Sequence, residues 1–248
     1  MSENIIEVEG VSKSYGGVIA NKDISIVVPK GRITGLIGPN GSGKTTLFNS
    51  IVGYHPIDNG SIRFEGREIS RLNVQAIARL GLLRTFQQTR IYGKMNCVEN
   101  MLISIPHRKA RFLDMFGDHS RADHEKADRL LEFVGLYEKR LLRAGSLSFG
   151  QQKLLEFAMA LMNEPTVLLL DEPTAGINPT LINGLIDRLK RANTEFGITL
   201  LIIEHNMRVI MNMADSIYCL AHGELLAHGS PAEIQNDQRV IDAYLGAH

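Results

Sequence analysis

The sequence predicts an α/β fold whose central sheet is mainly parallel and covered by helices on both faces. Two fully apolar runs, at residues 167–170 and 200–203, alternate with helix-like stretches in the last third of the chain. Such runs are typical of strands buried on both faces. The chain has 248 residues, of which 44% are hydrophobic and 22% are charged, so it is long enough to bury a sizeable core.

Short apolar runs separated by turn residues define the strands. They are predicted at residues 5–11, 24–28, 32–37, 167–171, 199–203 and 216–220. Helices are predicted at residues 46–52 and from Pro179 and Asn206 onward, and the strand signal fades between Asn73 and Val134. We therefore expect one domain over residues 1–248, with a core at 1–86 and 163–248 and a helical subdomain at about 87–162.

The composition argues against several classes of function. Basic and acidic residues both total 27, which disfavours a nucleic-acid-coating protein, and no apolar run approaches the roughly 20 residues of a membrane span. Glu3, Glu7 and Glu9 stand where a secretory signal needs a basic start, so a cytosolic location is expected. Cys97 and Cys219 have no metal-binding spacing and are predicted to be buried hydrophobes.

Residues 38–45 fit the phosphate-binding pattern GxxxxGK[ST] between a predicted strand and a predicted helix. Glycines allow successive backbone N–H groups to surround phosphate oxygens at the positive end of the helix. Lys44 is expected to reach the β- and γ-phosphates, and Thr45 to offer Mg²⁺ a hydroxyl ligand. The candidate phosphate-binding residues are Gly38, Pro39, Asn40, Gly41, Ser42, Gly43, Lys44, Thr45 and Thr46.

An acidic pair follows the apolar run at residues 167–170. Asp171 and Glu172 are expected at the carboxyl end of a buried strand, the edge at which α/β sheets bind ligands. Asp171 is a candidate for holding Mg²⁺ through water, and Glu172 for orienting or deprotonating the attacking water in phosphoryl transfer.

A third motif resembles the LSGGQ signature of ATP-binding-cassette (ABC) ATPases, and it consists of Leu147, Ser148, Phe149, Gly150 and Gln151. Ser148 and Gln151 also have the spacing of a helix capping box. By the same resemblance, the chain would have a P-loop, RecA-like nucleotide-binding fold with an antiparallel β subdomain and an inserted α-helical subdomain.

The resemblance extends to single positions along almost the whole chain. Tyr15 matches the aromatic residue that stacks on adenine, Gln87 matches the catalytic, Mg²⁺-sensing glutamine, and His205 matches the switch histidine. Two positions depart from the common pattern: Phe149 replaces a signature glycine, and Asn178 replaces the aspartate of the D-loop. Asn178 can hydrogen-bond but lacks the charge.

A narrower resemblance is to the ATP-binding subunits of branched-chain amino-acid importers. It is carried by residues 84–87, 175–179, 204–207 and 243–246, whose sequences are RTFQ, AGINP, EHNM and AYLG. It implies an ATPase that uses ATP and Mg²⁺ and that powers import of branched-chain amino acids or a related small polar solute. The implied partners are a second ABC ATPase subunit, identical or similar, two multispanning permease subunits and, indirectly, a solute-binding protein. The implied location is peripheral, on the cytoplasmic face of the inner membrane.

Other functions remain open from the sequence. The cassette does not record the direction of transport, so the ATPase subunit of an exporter is one alternative. A non-transport soluble ABC ATPase is a second, although those proteins usually carry two cassettes or a long coiled coil. A P-loop kinase is a third, and the signature and His205 argue against it.

The segment between residues 69 and 98 is basic and contains no acidic residue before Glu99. Two interpretations are open, a surface for protein partners and an ordinary solvated face. Its basic residues are Arg71, Arg79, Arg84, Arg90 and Lys94.

Overall fold

The computed structural model describes residues 3–85, 91–105 and 119–245. Its main sheet has six strands in the order β10-β9-β3-β8-β7-β6. All neighbours pair in parallel except β9 and β10, so the predicted mainly parallel sheet is confirmed. The strands are β3 (Ile33–Ile37), β6 (Leu82–Arg84), β7 (Val167–Asp171), β8 (Thr199–Ile203), β9 (Ser216–Ala221) and β10 (Glu224–Gly229).

A second, antiparallel sheet has the order β2-β1-β4-β5, which confirms the antiparallel β subdomain. Its long strands alternate buried and exposed residues, as expected where one sheet face packs on a core and the other faces water. The strands are β1 (Asn4–Tyr15), β2 (Val18–Pro29), β4 (Asn59–Phe64) and β5 (Arg67–Glu68).

The helices differ in how they begin. Side chains of Asn73, Asn96, Ser120, Ser148, Asn206 and Ser230 cap six of them by accepting a backbone N–H in the first turn. The helices are α1 (Lys44–Ile51), α2 (Val74–Arg79), α3 (Cys97–Ile103), α4 (Arg121–Phe133), α5 (Phe149–Leu161), α6 (Pro179–Phe196), α7 (Met207–Met213), α8 (Pro231–Asn236) and α9 (Gln238–Leu245).

The chain divides into two compact units. The first comprises Met1–Arg84, Thr166–Pro173 and Leu189–His248, and it contains both sheets. The second comprises Thr85–Pro165 and Thr174–Arg188, and its regular elements include α3, α4 and α5. In the first unit, side chains of both sheets share one hydrophobic core with Leu47, Phe48 and Ile51 of α1. This shared core fixes helix α1 against both sheets.

Strand β6 was missed by the sequence prediction, which found no strand between Asn73 and Val134. It spans only three residues, Leu82–Arg84, too few to produce a periodic pattern, and it pairs in parallel with β7. Cys97 and Cys219 are free and buried, as predicted. Among the described helices, none combines the length and the apolar character that a membrane crossing requires.

Candidate functional site

The phosphate-binding motif lies between strand β3, which is buried along its whole length, and helix α1, which begins at Lys44. The predicted order of strand, glycine-rich loop and helix is confirmed. Gly43 precedes the helix with a φ of 98°, and within the described residues no side chain caps this helix start. The first backbone N–H groups of α1 therefore have no side-chain acceptor, which is the arrangement that binds phosphate oxygens.

Two loop glycines lie too close to neighbouring backbone to carry a side chain. A Cβ on Gly38, whose φ is +145°, would lie 2.1 Å from the Leu220 carbonyl oxygen. A Cβ on Gly43 would lie 2.3 Å from the Ala20 carbonyl oxygen. Strands β2 and β9 thus enclose the loop from two directions. Gly38, Ser42 and Lys44 are buried, Pro39, Gly43 and Thr46 are half-buried, and Asn40, Gly41 and Thr45 are exposed.

Replacing Gly38 with Ala is expected to lower the free energy of unfolding by about 3 kcal/mol, because the methyl group would overlap backbone that cannot move aside. Gly31→Ala is the matched control. Its φ of +69° also strains a residue with a side chain, although less than +145° does, and its Cβ would meet nothing within 4 Å. Urea denaturation of both variants measures the difference, and equal losses would contradict the close approach at Gly38.

Lys44, the first residue of α1, is buried, and the phosphate loop encloses its side chain. Its Nζ donates hydrogen bonds to the carbonyl oxygens of Gly38, at 2.8 Å, and Pro39, at 2.9 Å. Burial lowers the pKa of Lys44, whereas the negative charges of Glu172 and Asp171 oppose that shift. The ammonium group and the acidic pair therefore share one electrostatic environment, as a site for phosphate and its metal ion requires.

Asp171 is the last residue of β7 and is buried. Arg84, at the end of the neighbouring strand β6, forms an ion pair with its carboxylate and also donates to the Asn49 side chain on α1. The Arg84 guanidinium lies over the Phe48 ring, 5.8 Å from its centroid. Arg84 is thus part of the site, so neither interpretation of the basic segment, partner surface or solvated face, applies to this residue.

Glu172 follows β7 in the left-handed region, with a φ of 49°. Non-glycine residues seldom adopt this conformation, which costs about 1–3 kcal/mol and is concentrated at functional sites. Its N–H donates to the Ile203 carbonyl oxygen at 2.9 Å, which ties it to the end of β8. The Glu172 Oε1 lies 3.6 Å from His205 Nδ1. The predicted catalytic residues Glu172 and His205 are therefore neighbours at the carboxyl ends of β7 and β8, and their catalytic roles stay predictions.

Tyr15 is the last residue of strand β1 and is 42% exposed. Its ring contacts His55 edge-on at a centroid distance of 5.6 Å, and Lys13 Nζ lies 5.3 Å from its centroid. Lys13 is itself held by Asp58 at 2.8 Å. The ring is therefore positioned by its neighbours while keeping a surface open to solvent, which suits a stacking platform for a planar base.

The signature residues begin helix α5 in the second unit. Ser148 Oγ accepts the Gln151 N–H at 3.4 Å, and Gln151 Oε1 accepts the Ser148 N–H at 3.1 Å, so the predicted capping box is confirmed. The Ser148 hydroxyl can still donate its own proton to an acceptor. Leu147 and Gly150 are buried, whereas Phe149 is 46% exposed.

Phe149, the unusual signature residue, packs on Gly176 of the D-loop segment. A Cβ on Gly176 would lie 2.8 Å from Phe149 Cε1. The phenyl ring at the third signature position therefore fits because the facing residue has no side chain. Asn178, two residues on, is exposed, and its Oδ1 accepts hydrogen bonds from the Thr180 N–H and hydroxyl at 3.1 and 3.0 Å.

The predicted catalytic and Mg²⁺-binding residue Gln87 lies outside the described residues. Across residues 3–85, 91–105 and 119–245, no cluster of three or more His, Cys, Asp or Glu side chains could hold a metal ion. A nucleotide-bound Mg²⁺ needs no such cluster, because it takes one or two protein oxygens together with phosphates and water. The predicted Mg²⁺ ligands Thr45 and Asp171 carry hard oxygen atoms of this kind, and their binding of the ion stays a prediction.

Sequence reasoning missed three residues that support the candidate site. Asn21 Nδ2 donates to the Gly43 carbonyl oxygen at 3.1 Å, Arg84 holds Asp171, and the Tyr244 hydroxyl accepts the Gly38 N–H at 2.8 Å. Arg84 and Tyr244 lie in motifs that were recognised only by resemblance. Each of these residues lies between 22 and 206 positions from its partner in the sequence, so no local sequence pattern could have predicted the contacts.

Comparison with known proteins agrees with this geometry. A family model described as "ABC transporter" matches residues 21–175, and one described as "Branched-chain amino acid ATP-binding cassette transporter" matches residues 224–248. The high-affinity branched-chain amino acid transport ATP-binding protein BraF of Pseudomonas aeruginosa is 39% identical, over 99% of both chains. The corresponding protein LivG of Escherichia coli is 36% identical, again over 99% of both chains.

Solved structures of ATP-binding cassettes are also similar to this chain. The ADP conformation of an ATP-binding cassette of an ABC transporter has a TM-score of 0.88 and 33% identity, over 99% of this chain and 100% of that one. A nucleotide-free cassette has a TM-score of 0.86 and 35% identity, over 97% and 98% of the two chains. With the phosphate loop, the acidic pair and the signature helix in place, the chain belongs to the ABC transporter family, as one of its ATPase cassettes.

Proposed function

We propose that this cassette hydrolyses ATP at the site formed by Lys44, Asp171 and Glu172, and that the hydrolysis powers import of branched-chain amino acids or a related small polar solute. The observation that carries the chemistry is the buried Lys44 ammonium group, which the Gly38 and Pro39 carbonyl oxygens hold at an uncapped helix N-terminus. The negative charges of Asp171 and Glu172 act on the same group. The solute class is supported by the full-length similarity to transport proteins for branched-chain amino acids.

In the proposed reaction, a water oxygen attacks the γ-phosphorus while the bond to the β,γ-bridging oxygen breaks. Glu172 accepts a proton from that water, and the products are ADP and inorganic phosphate. Lys44 and the loop N–H groups stabilise the negative charge on the phosphate oxygens. His205, whose Nδ1 lies 3.6 Å from Glu172 Oε1, would orient the carboxylate and contact the γ-phosphate.

Mg²⁺ would be held by Thr45 and Asp171, with Gln87 as a further proposed ligand. When bound, the ion neutralises charge on the β- and γ-phosphates and fixes their orientation. Arg84 keeps the Asp171 carboxylate in one position at the end of β7. The adenine base would stack on the exposed surface of Tyr15.

Each site would be completed by a second cassette, identical or similar to this one. Residues 147–151 of one chain would contact the ATP bound to the loop of the other, with Ser148 donating to the γ-phosphate and Asn178 lying near the junction. ATP would then hold the pair together, and hydrolysis would release it. The helical subdomain, at about residues 87–162, would press against two permease subunits at the cytoplasmic face of the inner membrane.

The transport proposal is tested in the assembled complex. The cassette is co-purified with two multispanning membrane subunits, reconstituted in vesicles and supplied with ATP. ATP hydrolysis stimulated by a solute-binding protein loaded with a branched-chain amino acid would support import of that solute class. ATP-driven movement in the opposite direction, with no response to such a binding protein, would identify the chain as an exporter subunit instead.

Replacing His205 with Ala is expected to lower the rate of ATP hydrolysis by about 10²-fold, because a group that stabilises or orients the reacting atoms is lost. ATP binding should change little, since phosphate affinity depends on Lys44 and the loop. The assay is steady-state hydrolysis by the assembled transporter. His124→Ala, an exposed histidine on α4, is the control. A His205 variant with normal hydrolysis and transport would leave this residue with a packing role only.

A further inference from the structure

The last helix of the described chain reaches the first residue of the phosphate loop. In the last turn of α9, the Tyr244 hydroxyl oxygen accepts the Gly38 N–H at 2.8 Å, although the two residues are 206 positions apart. Burial raises the pKa of Tyr244 to about 12, so the phenol stays neutral at physiological pH. The contact is therefore a neutral hydrogen bond between a side chain and the loop backbone.

This contact completes the fixation of Gly38. Its N–H is held by Tyr244, its carbonyl oxygen accepts from Lys44 Nζ at 2.8 Å, and Leu220 closes the space over its Cα. Because the peptide units on both sides of the Gly38 Cα are held, the φ and ψ angles of Gly38 are fixed, and these angles set where the following N–H groups point. Gly41 and Gly43 come next, with positive φ values, and such residues have the greatest conformational freedom.

Helix α9 is itself well positioned. Asp237, directly before it, accepts the Arg239 N–H at 2.9 Å and pairs with the Arg239 guanidinium at 2.6 Å. Val240 in the first turn is buried. Cys219 of β9, which is the register partner of Ile37 at the end of β3, is fully buried. Helix α9 thus presents the half-buried Tyr244 to the phosphate loop from a fixed position.

We propose that Tyr244 is a positioning residue for nucleotide binding, which holds the Gly38 amide and thereby keeps the phosphate loop in its binding shape. The inference rests on the proposed binding of ATP at this loop. Without the hydroxyl, the loop samples other conformations, and the apparent dissociation constant rises in inverse proportion to the competent fraction. Tyr244 lies within the segment 224–248 that matches the branched-chain cassette model, so the contact links that segment to the phosphate loop.

The test compares Tyr244→Phe, which removes only the hydroxyl, with Tyr92→Phe, a control at an exposed tyrosine. ATP affinity is measured by calorimetric titration of the full chain, and amide hydrogen exchange is measured without nucleotide. We expect the dissociation constant to rise about tenfold in Tyr244→Phe and to stay unchanged in the control. The Gly38 amide should exchange about tenfold faster in the variant, while amides in the centres of β7 and β8 keep their wild-type rates.

Four outcomes would count against the proposal or against the binding and the contact on which it rests. Unchanged ATP affinity in Tyr244→Phe, with normal binding by the wild type, would overturn the positioning role. Faster exchange throughout the main sheet, with a lower urea midpoint, would also overturn it, because the hydroxyl would then stabilise the fold in general. If the wild type bound no ATP, the proposed function would fail, and unaltered exchange at Gly38 would separately refute the contact.

Discussion

Replacing Glu172 with Gln is expected to reduce ATP hydrolysis by about 10²- to 10⁴-fold, the usual contribution of a general base. Gln has nearly the same shape and the same backbone requirements, so the left-handed conformation at position 172 should persist. ATP should remain bound, and binding should be as tight as in the wild type or tighter, because a negative charge near the phosphates is removed.

The measurement combines hydrolysis by the assembled transporter with ATP titration of the isolated variant. Slow hydrolysis with intact binding should prolong the closed pair of cassettes, which gel filtration with ATP would detect as a stable dimer. Glu195→Gln, an exposed glutamate paired with Arg191 on α6, matches the change in charge elsewhere. Wild-type turnover in the Glu172 variant would remove this residue from the catalytic role.

The strands that frame the site could be predicted because they are buried on both faces. Val167–Asp171 and Thr199–Ile203 are apolar at almost every position, and the structure shows both as predicted. The glycine-rich loop could be predicted because its chemistry requires fixed residue types at fixed spacing. Strand β6 has neither property, and only its pairing with β7 defines it.

The supporting contacts of the site could not be predicted, because they depend on tertiary packing alone. Arg84 belongs to a run of basic residues that suggested a solvated face or a partner surface, yet its guanidinium is buried against Asp171 and Asn49. Asn21 is an ordinary residue within a strand, and only the approach of Gly43 gives its amide a partner. In each case the partner lies in another element of the fold.

The two departures from the family pattern have different explanations. Phe149 is accommodated by the missing side chain of Gly176, a physical reason that neither position reveals alone. Asn178 accepts two hydrogen bonds from Thr180 that an aspartate could also accept. The structure therefore explains the aromatic residue in the signature. No contact of Asn178 among the described residues explains the loss of negative charge at this position.

Replacing Lys44 with Ala is expected to weaken ATP binding by about 10²- to 10³-fold, since truncating one member of a buried charge pair costs about 2–5 kcal/mol. Two effects contribute. The positive charge that faces the β- and γ-phosphates is lost, and the carbonyl oxygens of Gly38 and Pro39 lose the hydrogen bonds that fold the loop around the ammonium group. Hydrolysis by the assembled transporter should disappear for the same reasons.

A second substitution separates these effects. Lys44→Arg keeps the charge, but its planar guanidinium cannot reproduce a compact ammonium group that reaches two loop carbonyls. If charge dominates, Lys44→Arg should retain most of the ATP affinity in a calorimetric titration; if loop shape dominates, it should bind as weakly as Lys44→Ala. Lys190→Ala, an exposed lysine on α6, should bind ATP normally. Undiminished hydrolysis by Lys44→Ala in the assembled complex would contradict the assignment of this loop as the phosphate site.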